Sequence, residues 1–398
     1  MNFRRAILAT VVVVVGTSVL LAKDPPGVTV NKGTQSLGKV LGEPRFTVLN
    51  INDFLMWTRS DGYNNHTPAD NSGGFYPRGT AGSIYLDSFV WGAKAYVDSA
   101  FTTEAADQVI RLGGGTYNIA TRAGRILGTG ASAVPEATDL ANVRTYRVRR
   151  DYASMTQDEL KRDASEILRI PIESVTDAQA ADVYNQYDTD WKDWPVASGA
   201  PFIDRNNNSV FDATPAFSAT FTVDSLVSQG KDEPGVAGAD LNLPAGQVIW
   251  TVYNDLSPSL VNGFSGSLPM GIEIQKTTWG YKASGEIGSL YFQRIKMINK
   301  GGVVVNPTTG ALGTLHYDSV FVCQWSDPDL GDFGDDIVGC DTVLNIGYVY
   351  NGQGRDVEYQ KFGLKPPSVG YDFLAGPVID GGDSAVVDLN LNLIHNTE

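Results

Sequence analysis

The chain has 398 residues, 42% of them apolar and 10% aromatic, which is too much core-forming material for a disordered polymer. Its formal net charge of -15 argues against a nucleic-acid partner, because phosphate contacts need a basic surface. Forty-three glycines and 19 prolines favour many short strands joined by turns over long helices.

Met1 to Ala22 reads as a cleaved signal peptide: Arg4 and Arg5 precede an apolar and small run from Ala6 to Leu21. The expected location is therefore extracellular or cell-surface, with membrane contact only through that segment. Residues 23–45 read as an extended arm or linker. Residues 46–153 form an expected N-terminal β domain, with a strand over Ser83–Gly92 that continues through Ala93–Val97 after a glycine bend. Trp57, Tyr63, Phe75 and Tyr76 could stack on sugar rings, although packing in core or turns is the commoner fate of such residues. Gly113-Gly114-Gly115-Thr116 lacks the lysine of a phosphate loop and is expected to be a turn.

A two-helix insertion is expected over 154–200. Thr156 with Glu159, and Thr176 with Gln179, have capping-box spacing. Apolar stripes follow at Leu160, Ala164, Ile167 and Leu168, then at Ala180, Val183, Tyr184 and Tyr187. Pro171 separates the two helices, and Trp191 and Trp194 read as packing anchors.

Residues 201–398 are expected to form a C-terminal β-sandwich domain. Strand signals fall at 247–253, 272–275, 290–298, 316–325 and 343–350. The fold class is thus mainly β: antiparallel β-sandwich or jelly-roll domains with a small two-helix insertion.

Two loops in this half have calcium chemistry. Asp204, Asn206, Asn208 and Asp212 place oxygens at positions 1, 3, 5 and 9, and Val210 offers a backbone carbonyl at 7. Calcium takes six to eight oxygens, which alternate residues of a tight loop can aim inward together. Ser209 at position 6 and Pro215 at position 12 separate the loop from an EF-hand, and it is closer to the Asp/Asn loops of dockerin and thrombospondin-type repeats. Asp232, Glu233 or Asp240 could complete it. The second loop crowds Asp327, Asp329, Asp332, Asp335, Asp336 and Asp341 together, and such carboxylates repel one another unless a cation or solvent intervenes. Cys323 and Cys340 flank it, and an exported chain suggests a disulfide worth about 3 kcal/mol in the chain-entropy model. The three histidines, His66, His316 and His395, are too scattered for a transition-metal site.

Catalytic signals are weak. There is no Gly-x-Ser-x-Gly elbow before a helix, and with 45 acidic residues a glycosidase-like pair can always be nominated.

The string Gln324-Trp325-Ser326-Asp327-Pro328-Asp329-Leu330-Gly331-Asp332, followed by Asp335-Asp336-Ile337-Val338-Gly339-Cys340-Asp341-Thr342, resembles large secreted β-rich proteins of Bacteroidetes and Ignavibacteria-type bacteria. Asn50-Ile51-Asn52-Asp53, Asn71-Ser72-Gly73-Gly74-Phe75-Tyr76-Pro77 and Trp91-Gly92-Ala93-Lys94 are similar to their N-terminal region. Such relatives often continue into fibronectin-type modules and a type IX secretion sorting domain. The resemblance implies export and a surface location, and no reaction.

These readings converge on a calcium-stabilised structural or adhesion protein without catalytic activity. Its partners would be surface glycans or other envelope proteins. One alternative is a carbohydrate-binding or glycoside-cleaving protein. Another is a filament or surface-layer subunit that self-associates when Val28-Thr29-Val30, or the alternating run Val387–Leu393, adds to a neighbour's sheet.

Overall fold

The computed structural model describes residues 45–69, 71–212, 229, 231–236 and 243–375, with the backbone of 386–387 and 393–394. The expected signal segment, the arm up to residue 44 and Asp240 lie outside the described residues.

The chain is mainly β, with antiparallel sheets. It opens with β1 (Phe46–Leu49), β2 (Leu55–Arg59), β3 (Gly74–Phe75), β4 (Gly82–Ile84), β5 (Leu86–Tyr96) and β6 (Ile110–Gly114). Short strands β7 (Arg122–Ala123), β8 (Ile126–Leu127) and β9 (Val134–Pro135) lead to β10 (Tyr146–Arg149). Helices α1 (Gln157–Leu168) and α2 (Asp177–Lys192) follow, then β11 (Phe202–Ile203) and β12 (Glu233–Pro234). The second half runs β13 (Gln247–Asn254), β14 (Ile272–Gly280), β15 (Phe292–Asn299), β16 (Val303–Asn306), β17 (Ala311–Gly313) and β18 (His316–Asp327). It ends with β19 (Asp336–Asp341), β20 (Ile346–Asn351), β21 (Ser368–Asp372) and the small hairpin of Val386–Val387 with Leu393–Ile394.

Strand β13 shows how the layers arise. All eight of its residues are buried, because both of its faces are covered. Val248, Trp250 and Val252 point to one side and pack with Tyr187 and Trp191 of α2. Ile249 packs with Leu49 and Met56, and Tyr253 with Phe89 and Trp91, on the other side. The sheet β10-β13-β14-β15 therefore lies between the helices and the strands around β2 and β5.

The helical insertion forms as its caps predict. Both boxes are complete: Thr156 with Glu159, and Thr176 with Gln179, exchange reciprocal bonds. Arg169 ends α1 in the left-handed conformation ahead of Pro171. Trp191 and Trp194 are buried in the core beneath, as expected. Charge also fixes the helices to the sheet. Buried Arg147 on β10 makes a two-pronged ion pair with Asp163 of α1, both contacts at 2.9 Å, and donates to Asn50 Oδ1 at 2.7 Å. Arg144 pairs with Asp190 of α2, and Arg78 pairs with Glu166 at 2.5 Å.

Three expectations need correction. The stretches 46–153 and 201–398 do not form separate domains: β10 and β7 pair with β13, and β5 pairs with β18 from Tyr96↔His316 to Leu86↔Asp327. Tyr146 and Val148 complete the apolar face begun by Val248 and Trp250, so the two halves share one core. The triglycine is not a turn, since Gly113 and Gly114 end β6 against β5. A Cβ on Gly113 would sit 2.6 Å from the Trp91 ring, so glycine there admits the indole. The acidic stretch is only partly loop, because Asp336–Asp341 is a strand paired with β20. The helix Pro258–Ser265 was not foreseen.

Among the described residues no helix is long and apolar enough to cross a membrane.

Candidate functional site

The Asp204 loop is clamped at its base by β11 and β12, with Phe202 opposite Pro234 and Ile203 opposite Glu233. Asp232, fully buried, accepts from Arg205 N at 2.8 Å through one oxygen and from Asp212 N at 2.9 Å through the other. It thereby ties the first and last turns of the loop together. Glu233 is equally buried and is held by Arg150 at 2.8 Å and by Arg205. The two residues offered as extra ligands are thus the loop's foundation, their oxygens committed to the protein.

Within the loop the predicted residues do come together. Asp204 accepts from Asn208 N at 3.3 Å and Ser209 N at 2.7 Å. Asn206 Oδ1 accepts from Asn208 N at 3.0 Å, and Asn208 Oδ1 from Val210 N at 2.7 Å. The tight winding places Asn207 and Ser209 in the left-handed region, at φ 56° and 60°. The Nδ2 groups of Asn206 and Asn208 both donate to Asp212 Oδ2, at 2.8 and 3.0 Å. These amides, Asn206 first, hold the Asp212 carboxyl below its ordinary value. The Val210 side chain is exposed and plays no packing role.

The second cluster joins three nearby carboxylates to a tyrosine from a distant part of the chain. Asp327 ends β18, Asp329 lies in the following loop, and Asp336 opens β19. Tyr117 donates to Asp327 Oδ2 at 2.8 Å, and its ring meets Trp325 edge-on at 4.9 Å. Burial, then the charges of Asp327 and Asp336, push Asp329 up to about 7. Burial and neighbouring carboxylates likewise push Asp336 up to about 6, and burial raises Asp327. One oxygen of Asp336 accepts from Leu330 N at 3.0 Å, while the other is buried without a hydrogen bond.

The remaining acids of this string act as staples. Asp335 accepts from Asn351 Nδ2 at 3.2 Å and Gln353 N at 2.9 Å. Asp332 accepts from Gly334 N, capping a short turn, and its own N–H donates to Asp356 at 2.8 Å. Asp356 also caps the helix Val357–Gln360 through the amides of Glu358 and Tyr359. Asp356, Tyr117 and Asn351 were not picked out from sequence. Tyr117 lies 210 residues from its partner, so no local pattern links them.

No disulfide joins Cys323 and Cys340 in this structure. Cys323 sits on β18 opposite Val90, and Cys340 on β19 opposite Gly347, in two different sheets. The loop is held instead by the bonds of Asp332, Asp335 and Asp356. Among the described residues no three carboxylate, thiol or imidazole side chains stand ready as a metal-ligating group. Amide and backbone oxygens would have to complete either loop.

The sugar-platform aromatics take the bland role: Trp57 and Tyr63 are buried, and Phe75 and Tyr76 half-buried. A surface cavity of about 410 Å³ is lined by Arg125, Ser198, Glu273, Gln275, Lys296 and Lys300 among others, with no aromatic side chain. Its carboxylate, Glu273, already accepts from Ile126 N at 2.7 Å and from Gln275 at 2.9 Å.

No family model, curated protein or solved structure matches this chain.

Proposed function

We propose that the protein is an exported, non-catalytic structural or adhesion protein of the cell surface or extracellular space. In this reading the two facing layers around β5 and β13 form a β-sandwich, and calcium bound by the Asp204 loop braces it. The observation that carries the reading is the convergence of Asp204, Asn206, Asn208 and Asp212 over a base fixed by Asp232. Two carboxylates and two amide carbonyls within one tight turn are hard oxygens of the kind calcium requires. The resemblance of the acidic string to secreted surface proteins supports the location.

Calorimetric titration of the metal-free protein tests the reading. Calcium should bind with millimolar or tighter affinity and raise the melting temperature, adding about 2.7 kcal/mol at a hundredfold excess over Kd. Asp212→Ala should lose both effects. No heat and no shift at 10-fold higher than about 1 mM calcium, beyond the range of extracellular modules, would overturn it.

A second reading, assembly into a filament or layer, is favoured by one surface. Strand β19 edges its three-stranded sheet, and Phe333, Ile337, Val338, Val343 and Leu344 around it are exposed. An unpaired apolar edge is a template for another chain. Sedimentation showing only monomer at high concentration would remove this reading.

A further inference from the structure

Lys276 lies on the face of β14 that meets the opposite layer, and its side chain is buried, 2% exposed. Its Nζ reaches three neutral oxygens: Asn64 Oδ1 at 2.6 Å, Gly62 O at 3.0 Å and Thr58 Oγ1 at 3.4 Å. Asn64 is also buried, and Thr58 Oγ1 donates to the same Oδ1 at 2.9 Å. The electrophilic Cγ of Asn64 lies one carbonyl bond, about 1.2 Å, beyond that oxygen. Asp87, fully buried, is locked alongside, because the backbones of Asn64 and Asp87 exchange hydrogen bonds at 2.9 and 3.0 Å. The Asn64 side chain lies near enough to the Asp87 carboxyl to lower it, Asn65 and Tyr291 donate to Asp87 Oδ2 at 2.7 and 3.0 Å, and Asp87 Oδ1 is buried without a hydrogen bond.

We propose that Lys276 and Asn64 join in an intramolecular isopeptide bond, formed with Asp87 as the proton carrier and with loss of ammonia. An amine, a carboxamide and a buried carboxyl group are the complete reagent set for this transamidation. The Nζ lone pair attacks Asn64 Cγ, and Thr58 Oγ1 stabilises the oxyanion that develops on Oδ1. In the adduct Nζ and Nδ2 share one carbon, so protonated Asp87 beside it gives its proton to Nδ2 and takes one from Nζ, ending as it began. The Cγ–Nδ2 bond then breaks, ammonia leaves, and the Cγ–Nζ amide remains. No oxidant, reductant or cofactor enters the balance.

The surroundings favour the reactive protonation states. Burial, acting first, lowers Lys276 to about 8, so about a tenth is the neutral nucleophile at pH 7. Burial raises Asp87, which favours the protonated acid. The Tyr253 ring, 5.8 Å from Nζ, helps exclude the water that would hydrolyse an activated amide. The product would tie the layer of β2 and β5 to the layer of β14 across 212 residues of chain. That is a covalent brace for a protein that bears load.

Mass spectrometry of the folded full chain decides the matter. A proteolytic digest should contain one branched species, carrying the Asn64 and Lys276 peptides joined and lighter by about 17 Da, the mass of ammonia displaced by the amine. The Lys276→Met protein should show neither branch nor mass loss. Asp87→Asn, an isosteric change, should leave the two peptides unlinked in protein whose circular dichroism is native. Full recovery of separate, unmodified peptides from folded wild type would overturn the proposal and leave Lys276 as a buried hydrogen-bond donor. Unchanged linking in Asp87→Asn would overturn the role of Asp87. If a variant fails to fold, the wild-type digest still decides.

Discussion

Asp329 offers a quantitative test of the acidic cluster. Its carboxyl is pushed from an ordinary 3.8 up to about 7 by burial first, then by Asp327 and Asp336. Between those two values the folded protein holds a proton that the unfolded chain has released. Stability therefore falls as pH rises from 4 through 7, the opposite of a salt-bridged aspartate. The rise from 3.8 to about 7, at about 1.36 kcal/mol per pH unit, gives an upper bound of about 4 kcal/mol. Partial solvent access and relaxation reduce this to about 2 kcal/mol. Asp329→Asn keeps the shape and removes the charge. It should be about 2 kcal/mol more stable than wild type in urea unfolding at pH 8 with a chelator, and equal to wild type at pH 4. A variant no more stable than wild type at pH 8 would show that these carboxylates do not strain the loop. Added calcium supplies a second reading of the same pair of proteins. A cation at Asp327, Asp329 and Asp336 stabilises wild type and spares the variant, so the order of stability closes or reverses.

Arg147→Ala leaves Asp163 charged and buried, and should cost about 3–5 kcal/mol in equilibrium unfolding; a cost under about 1 kcal/mol would show that the pair does not anchor α1. Gly331 has φ +82°, and a Cβ there would fall 2.1 Å from the Asp356 carboxylate. Gly331→Ala should therefore cost at least about 1–3 kcal/mol and speed proteolysis within 327–341, whereas a neutral melt would count against the Asp356 staple. Thiol titration of native protein without reductant should find Cys340 reacting promptly and Cys323 slowly, since burial raises the Cys323 thiol. Absence of titratable thiol even in denaturant would mean that a disulfide forms after all.

The legible parts of the fold were those encoded over short spans. Thr156 with Glu159 and Thr176 with Gln179 announce helix starts, because the capping bonds join residues three apart. The strands β13, β14, β15 and β18 announce themselves by β-branched and aromatic runs. The Asp204 loop was legible for the same reason, since its ligand candidates lie within nine residues. What failed was everything decided by long-range pairing. The chain looked like two β domains because each half carries enough apolar residues for a core. Yet the Tyr146–Val148 face finds its partner a hundred residues on, at Val248 and Trp250. The two cysteines were close in sequence, and sheet pairing then carried them apart. Sequence distance predicted the wrong neighbour in both cases.

The same logic separates the two kinds of chemistry in this molecule. Oxygen-rich loops are written locally and remain on the surface, where Asx side chains can bond their own backbone. The Lys276, Asn64 and Asp87 group is written nowhere in the sequence as a motif: it needs β14, the segment after β2 and the start of β5 to meet inside the core. A lone lysine in an alternating strand reads as a solvated residue, because burying its charge is costly. Alternation puts Lys276 on the face of Ile272 and Ile274, against the second layer, and the cost is met by neutral acceptors rather than by a carboxylate at contact distance. An amine so placed is only weakly held in its charged form, which is what makes it a nucleophile. The energetically awkward residue is thus the one with chemistry to do, whereas the conspicuous acidic loops serve to hold shape.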